Sequence, residues 1–324
     1  MRAAIITTPG ASPVVGEFTE PVAARGEVLI RVDTAGLGGW DVLGAYRLAV
    51  NYPCVLRGEG VGLAEDGRRV YFGERSTAPF GAWAERTIVP PAEVWNVPDD
   101  VDDRTAITMA IAGTGAYVPL LKADIQRGDA VLVTGASGAV GQLALQFARV
   151  LGAGRVVAAG RDPVALALLK ARGWADATVL LGGPDDVEAM KAAAGDGFDV
   201  VLDIVCGDPL LAAMKATRWG ARIVTIGKAA GGQIAFEISD LLFRTLSLVG
   251  TGQRPAAERE SIWRKLLELA REQAITVDYA EYPFGRVADA WAAQSASPRA
   301  KIISSISASA VNSRVEEIIE AGPF

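Results

Sequence analysis

From Asp129 onward the apolar residues come in short, β-branched runs: AVLVTG, RVVAAG, ATVLL, FDVVLDIV, ARIVTIG and LSLVGTG. Between most of them lie stretches whose apolar positions recur every three to four residues. Runs without polar alternation read as strands buried on both faces, and the 3.6 period reads as crossover helices, so this part predicts an α/β doubly wound parallel sheet. The chain before it is patterned differently. EVLIRVDTAG, RRVYFG and GAWAERTIVPP read as strands divided by Gly and Pro turns, as in a compact β-rich barrel or sandwich. A helix is expected over about 103–122, with Asp102 or Asp103 as its cap. Past Gly252, AAERESIWRKLLELAREQ reads as a helix and KIISSIS as a strand, and the tail 308–324 carries a short helical pattern, VEEIIEAG.

Chemistry concentrates where the first parallel strand ends, at VLVTGASGAVG (Val131–Gly141). Three glycines spaced three apart, after a strand and before a helix, make a phosphate cradle running Gly135, Ser137, Gly138, Ala139, Val140, Gly141. They allow a sharp turn, approach of backbone N–H groups to a pyrophosphate, and close packing of helix on strand. About twenty residues on, the second strand ends in Gly160, Arg161 and Asp162, where the ribose of a bound dinucleotide would lie. A carboxylate at the strand end would select NAD; glycine there followed by a guanidinium reads as preference for NADPH, with a solvated surface arginine as the alternative. Asp162 is either a ribose acceptor or the cap of the helix PVALALLKARG. Gly227 and Lys228 end a later strand, and Lys228 is either a cofactor contact or plainly exposed.

Composition narrows the catalytic menu. The 324 residues, enough for two domains, contain no histidine and two cysteines, Cys54 and Cys206, far apart. No Ser-His or Cys-His nucleophile is available, no metal site is expected, and each cysteine reads better as a small buried hydrophobe than as a reactive thiol. A net charge of −6 without a basic stripe argues against nucleic acid as a partner. No apolar run reaches the roughly 20 residues of a membrane span. MRAAIITTPGASPVV reads as strand and turn rather than a cleavable leader, so a cytoplasmic chain is expected.

With these pieces in order, the chain resembles the medium-chain dehydrogenase/reductase superfamily, in particular its zinc-free quinone oxidoreductase and enoyl reductase branch. GAWAERTIVPPAEVWNVPDDVDDRTAITMAIAGTGAY looks like the segment leading out of the family's first domain, and QRGDAVLVTGASGAVG like its cofactor loop. FDVVLDIVCGDPLLAAMKATRWGARIVTIG and LSLVGTGQR resemble later strands lining the nicotinamide pocket. The resemblance implies a GroES-like substrate domain over 1–117 and 251–324 and a Rossmann NADPH-binding domain over 118–250. Gly38 and Gly58-Glu59 stand where zinc-dependent relatives place metal ligands. Gly38 and Gly115 also replace the asparagine and threonine usual in zinc-free quinone reductases, and Leu181 replaces a tyrosine near the 2′-phosphate.

The expected reaction is hydride transfer from NADPH to a quinone or an α,β-unsaturated carbonyl. A donor is then needed at the developing enolate oxygen, and without histidine the candidates are Tyr46, Tyr52, Arg47, Lys228 or a water. Tyr46 and Tyr52 lie in DVLGAYRLAVNYP, where the resemblance implies substrate contacts; the alternative for both is packing. Asp41 reads as a turn or ion-pair residue rather than an acid. Two rival functions stand beside this one: a reductase or cyclase of a specialised-metabolite intermediate, and a non-enzymatic NADPH-binding protein. LSLVGTG has no helix returning to its sheet, so it is expected at an edge, and a homodimer through that edge follows.

Overall fold

The computed structural model describes residues 1–43, 51–73, 76–248 and 254–307. Contacts divide the chain into two compact units: Met1–Ile111, Ala256–Leu267 and Asp278–Phe324 form the first, Ala112–Pro255 and Glu268–Val277 the second. Two of the divisions fall inside helices, Asp103–Lys122 and Ala256–Glu272.

The first unit opens with β1 (Arg2–Ile6), β2 (Val14–Glu17), β3 (Val28–Leu37), α1 (Gly39–Leu43) and β4 (Cys54–Val55). It continues through β5 (Glu59–Ala64), β6 (Arg69–Phe72), β7 (Arg86–Val89), β8 (Val94–Asn96) and the start of α2 (Asp103–Lys122). The second unit holds β9 (Ala130–Thr134), α3 (Ala139–Val150), β10 (Arg155–Gly160), α4 (Pro163–Ala171), β11 (Ala177–Leu180) and α5 (Asp186–Ala194). β12 (Phe198–Asp203), α6 (Gly207–Lys215), β13 (Thr217–Thr225) and β14 (Thr245–Leu248) complete its sheet. After α7 (Ala256–Glu272) the chain returns to the first unit with β15 (Tyr279–Glu281), α8 (Val287–Ser295) and β16 (Lys301–Ser305).

In the first unit a three-stranded sheet, β2-β1-β4, accompanies a larger one ordered β15-β16-β3-β5-β6-β8, with β7 also on β3. Pairing is antiparallel except between β15 and β16. Its core joins Ile30, Val32, Leu56, Trp83 and Ile302. GAWAERTIVPP pairs with β3 as β7 only over Arg86–Val89, because residues 82–85 bond instead to β1 and to 56–57; the buried Trp83 donates from Nε1 to the Gly36 carbonyl at 3.2 Å. A second aromatic group, Tyr71, Trp95 and Trp263, has ring centroids 5.3–5.5 Å apart, and Trp263 donates to the Ala106 carbonyl at 2.9 Å.

In the second unit all strands run parallel in the order β11-β10-β9-β12-β13-β14, the expected doubly wound sheet. β9 and β12 are buried almost throughout, which is why their sequences show no alternation. Glu268–Val277 joins this unit through Gln146, whose amide donates to the Thr276 carbonyl at 2.7 Å and accepts from Thr276 N–H at 3.2 Å. β14 lies at the end of the sheet and spans Thr245–Leu248; the rest of LSLVGTG lies outside the described residues. No described helix is long and apolar enough to cross a membrane.

Candidate functional site

The sheet of the second unit reverses its strand order between β9 and β12, and ligands of such sheets bind outside the carboxyl ends of the strands at that point. The glycine-rich loop follows β9 there. Gly135 has φ +64°, and a side chain on it would run into Val205 Cγ1 at 2.8 Å. Gly141 packs so closely that a Cβ would collide with the Gly135 carbonyl and with Ala136. Gly138 differs from both: a Cβ there would meet only the Gly135 carbonyl oxygen, at 3.7 Å, so packing does not demand glycine.

Gly138 caps α3, and no side chain accepts from the first turn. The N–H groups of Ala139, Val140 and Gly141 therefore open the helix without a carbonyl partner in it, at the positive end of its dipole. Ser137 turns its carbonyl to the Gln142 amide at 2.8 Å, which fixes the loop from behind. These residues fit the pyrophosphate of a dinucleotide: uncapped donors, and room left by a glycine that the protein itself does not require.

β10 ends beside this loop at Gly160, which is buried. Arg161 is exposed and makes no ion pair among the described residues. Asp162 caps α4, accepting from Val164 and Ala165 N–H, both at 3.0 Å, so the capping alternative is realised. Gly227 follows β13, and a side chain there would collide with the Ile204 carbonyl; Lys228 beside it is exposed. The structure thus brings Gly135–Gly141, Gly160, Arg161, Gly227 and Lys228 to one edge of one sheet. Sequence reasoning missed Asp203 at the end of β12, fully buried and bonded to Thr134 and Thr225. Its signal was three adjacent strands ending in Thr, Asp and Thr.

Tyr52 lies in the first unit, half-buried and packed on that unit's core. Desolvation pushes the pKa of its hydroxyl up. Tyr46 and Arg47 lie outside the described residues. Cys54 is buried, and burial pushes its thiol up as well.

The first unit also holds a buried set of charges. Lys301 Nζ donates to Glu59 Oε1 at 2.5 Å and to the Leu37 carbonyl at 3.2 Å, while Tyr71 Oη donates to Glu59 Oε2 at 2.8 Å. Asp41 accepts from Gly38 N–H at 2.9 Å and Gly58 N–H at 3.4 Å. Burial pushes its carboxyl up to about 6, against the pull of those N–H groups and of Lys301. Asp41 thereby holds the backbone at Gly38 and Gly58 together. Zinc does not fit this donor set: a lysine ammonium already occupies Glu59, and among the described residues no three His, Cys, Asp or Glu side chains converge.

Comparison with known proteins agrees with the fold. The family described as zinc-binding dehydrogenase matches residues 139–272. A quinone oxidoreductase-like protein 2 homolog of Nematostella vectensis is 27% identical over 290 residues, 84% of this chain and 79% of that protein. The acryloyl-coenzyme A reductase of Sulfurisphaera tokodaii is 28% identical over 287 residues, 77% of this chain and 84% of that one. Among solved structures, the quinone oxidoreductase of Thermus thermophilus, studied also in complex with NADPH, superposes with a TM-score of 0.76 at 28% identity, covering 94% of this chain and all of that one.

Proposed function

We infer, for a chain that belongs to the medium-chain dehydrogenase/reductase superfamily on its quinone oxidoreductase and enoyl reductase side, an NADPH-dependent reductase of quinones or α,β-unsaturated carbonyl compounds that works without a metal. The observation that carries it is the uncapped start of α3 beneath Gly138, at the switch point of the sheet and beside the exposed Arg161. Ala139, Val140 and Gly141 N–H hold the pyrophosphate. Gly160 leaves the ribose its space, and Arg161 presents paired donors to the 2′-phosphate. Gly227 and Lys228 line the neighbouring strand end. The nicotinamide supplies the hydride, and the protein's task is orientation in a dry site. A proton for the developing enolate oxygen comes from Tyr46, Tyr52, Lys228 or a water. The names of the anemone, archaeal and Thermus proteins support this substrate class. The donor chemistry of the first unit supports independence from zinc.

The test is a titration of NADPH and NADH against wild type and Arg161→Ala, with turnover of a quinone and enone panel after chelator dialysis. A charge-assisted pair at the 2′-phosphate contributes about 1.5–3 kcal/mol, so the wild type should prefer NADPH by roughly one to two decades and the variant should not. Equal affinity of the wild type for both cofactors would refute the cofactor assignment, and loss of turnover on chelation would refute the metal-free chemistry.

A further inference from the structure

Asp203 ends β12, next to the strand that leads into the glycine-rich loop, and the groups that meet its carboxylate are donors. Thr134 Oγ1 donates to Oδ1 and Thr225 Oγ1 to Oδ2, both at 2.7 Å. Cys206 N–H reaches both oxygens, at 3.2 and 2.9 Å, and Val205 N–H lies 3.3 Å from Oδ1. Thr134 closes β9 and Thr225 closes β13, so one buried carboxylate ties three strand ends together. The bond from Thr134 spans the place where the strand order reverses.

The loop that Asp203 holds, 204–207, stands between two segments of the candidate site. Val205 Cγ1 fills the space a side chain at Gly135 would need, and the Ile204 carbonyl fills that of Gly227. Ala230 N–H donates to the Val205 carbonyl at 2.7 Å. Within the loop, Cys206 has φ +60° and ψ −160°, a region essentially reserved for glycine. A cysteine stays there only where its surroundings fix it. The Asp203 carboxylate, with both oxygens on the Cys206 N–H, is the group that does so.

We propose that Asp203 is a positioning residue for the dinucleotide: by clamping Cys206 it fixes loop 204–207 and so sets the spacing between the glycine-rich loop and the Gly227 strand end. This rests on the dinucleotide-binding reading above. Asp203→Asn keeps the shape but sets an amide N–H2 against donors, so the clamp loosens and binding must restore the loop.

Calorimetric titration of NADPH and thermal melts, run on wild type, Asp203→Asn, Cys206→Gly and the double variant, test it. Asp203→Asn should weaken NADPH binding by about tenfold or more, because the strained backbone must then be re-formed on binding. Cys206→Gly should leave Kd within about twofold and raise Tm, since glycine adopts this backbone without strain. The double variant should recover most of the lost affinity, which a purely structural role of Asp203 does not explain. Unchanged affinity in Asp203→Asn, or no recovery in the double variant, overturns the proposal while the cofactor reading stands. A wild type that binds neither NADPH nor NADH overturns both. If Asp203→Asn does not fold, Thr225→Val removes one donor and keeps the carboxylate: a several-fold rise in Kd supports the clamp, and unchanged affinity overturns it.

Discussion

Lys301→Met should be among the most damaging single substitutions in the first unit. The ammonium and the Glu59 carboxylate are 3% and 2% exposed and 2.5 Å apart. Gly36 makes room for them, since a Cβ there would come within 3.2 Å of Glu59 Cγ and 3.3 Å of Lys301 Cε. Methionine fills the lysine stem's volume but leaves Glu59 with Tyr71 Oη and, at 3.5 Å, Ile111 N–H as donors, and removes the cation that also favours the Asp41 carboxylate. Removing one partner of a buried pair costs about 3–5 kcal/mol because the other charge is left uncompensated. For a unit of this size that corresponds to a fall in Tm on the order of 10 °C. Replacing both partners, as in Lys301→Met with Glu59→Gln, leaves neither member of the pair as an uncompensated charge and removes the repulsion of Glu59 on Asp41 together with the attraction of Lys301, so it should recover most of the loss. Tryptophan fluorescence is the suitable probe, because Trp83, Trp95 and Trp263 are buried in the first unit while Trp219 in the second is 74% exposed. Denaturant melts of wild type, both single variants and the double variant then give the coupling between the two sites directly. A cost below about 1 kcal/mol for Lys301→Met, or a double variant as unstable as the single, would refute the reasoning that this pair is held by charge compensation.

Three further expectations follow from particular residues. Gly138→Val should abolish NADPH binding in calorimetry and leave the circular dichroism spectrum intact, because its side chain meets no protein atom closer than 3.7 Å at the Cβ yet stands over the uncapped turn of α3; normal binding would put the cradle elsewhere. Asp41, raised to about 6 by burial, stays protonated to higher pH in the folded chain than in the unfolded one, where aspartate titrates at about 3.9. Its stabilising contribution is therefore full below about pH 4 and lost as pH rises to about 6, so the stability difference between wild type and Asp41→Asn should change across that window and be flat above it; a difference constant from about pH 4 to 7 would contradict this. β14 at the sheet edge, beside the exposed Trp219, Ile238 and Leu242, should pair with a second copy, giving a dimer by light scattering that Leu242→Arg converts to monomer; a wild-type mass near 33.8 kDa would end that expectation.

The parts of this molecule that were legible in the sequence are those whose causes are local. Six apolar runs became the six parallel strands, and the signal sits within each run; in β9, β10 and β12 burial on both faces erases polar alternation. The glycine-rich loop was legible for the same reason: a positive φ at Gly135 and close packing at Gly141 are demands on single residues. At Asp162 the sequence left two roles open, and the structure realises the cap because the residue stands directly before Pro163, where its oxygen reaches two N–H groups of the first turn. Only Arg86–Val89 of GAWAERTIVPP form a strand on β3, and residues 82–85 bond instead to β1 and to 56–57, a change of partner that nothing in the string marks.

What the sequence concealed is what pairs across distance. Glu59 and Lys301 are separated by 242 positions, Thr134 and Asp203 by 69, and Gln146 and Thr276 by 130. Each pair contains a polar residue that interrupts or ends an apolar segment, and a polar group in such a place is costly unless it meets a partner. The sequence therefore shows that a partner is needed without showing which one. At Asp203 the need is met by donors from two neighbouring strand ends and from the loop that follows it, and this satisfaction is what allows Cys206 to keep a backbone that no local preference supports. A buried polar residue at the carboxyl end of a parallel strand, beside a glycine-rich turn, is in this respect more informative than the turn itself. The turn says where a phosphate fits, and the buried acceptor says which neighbouring loops must hold still for it to bind.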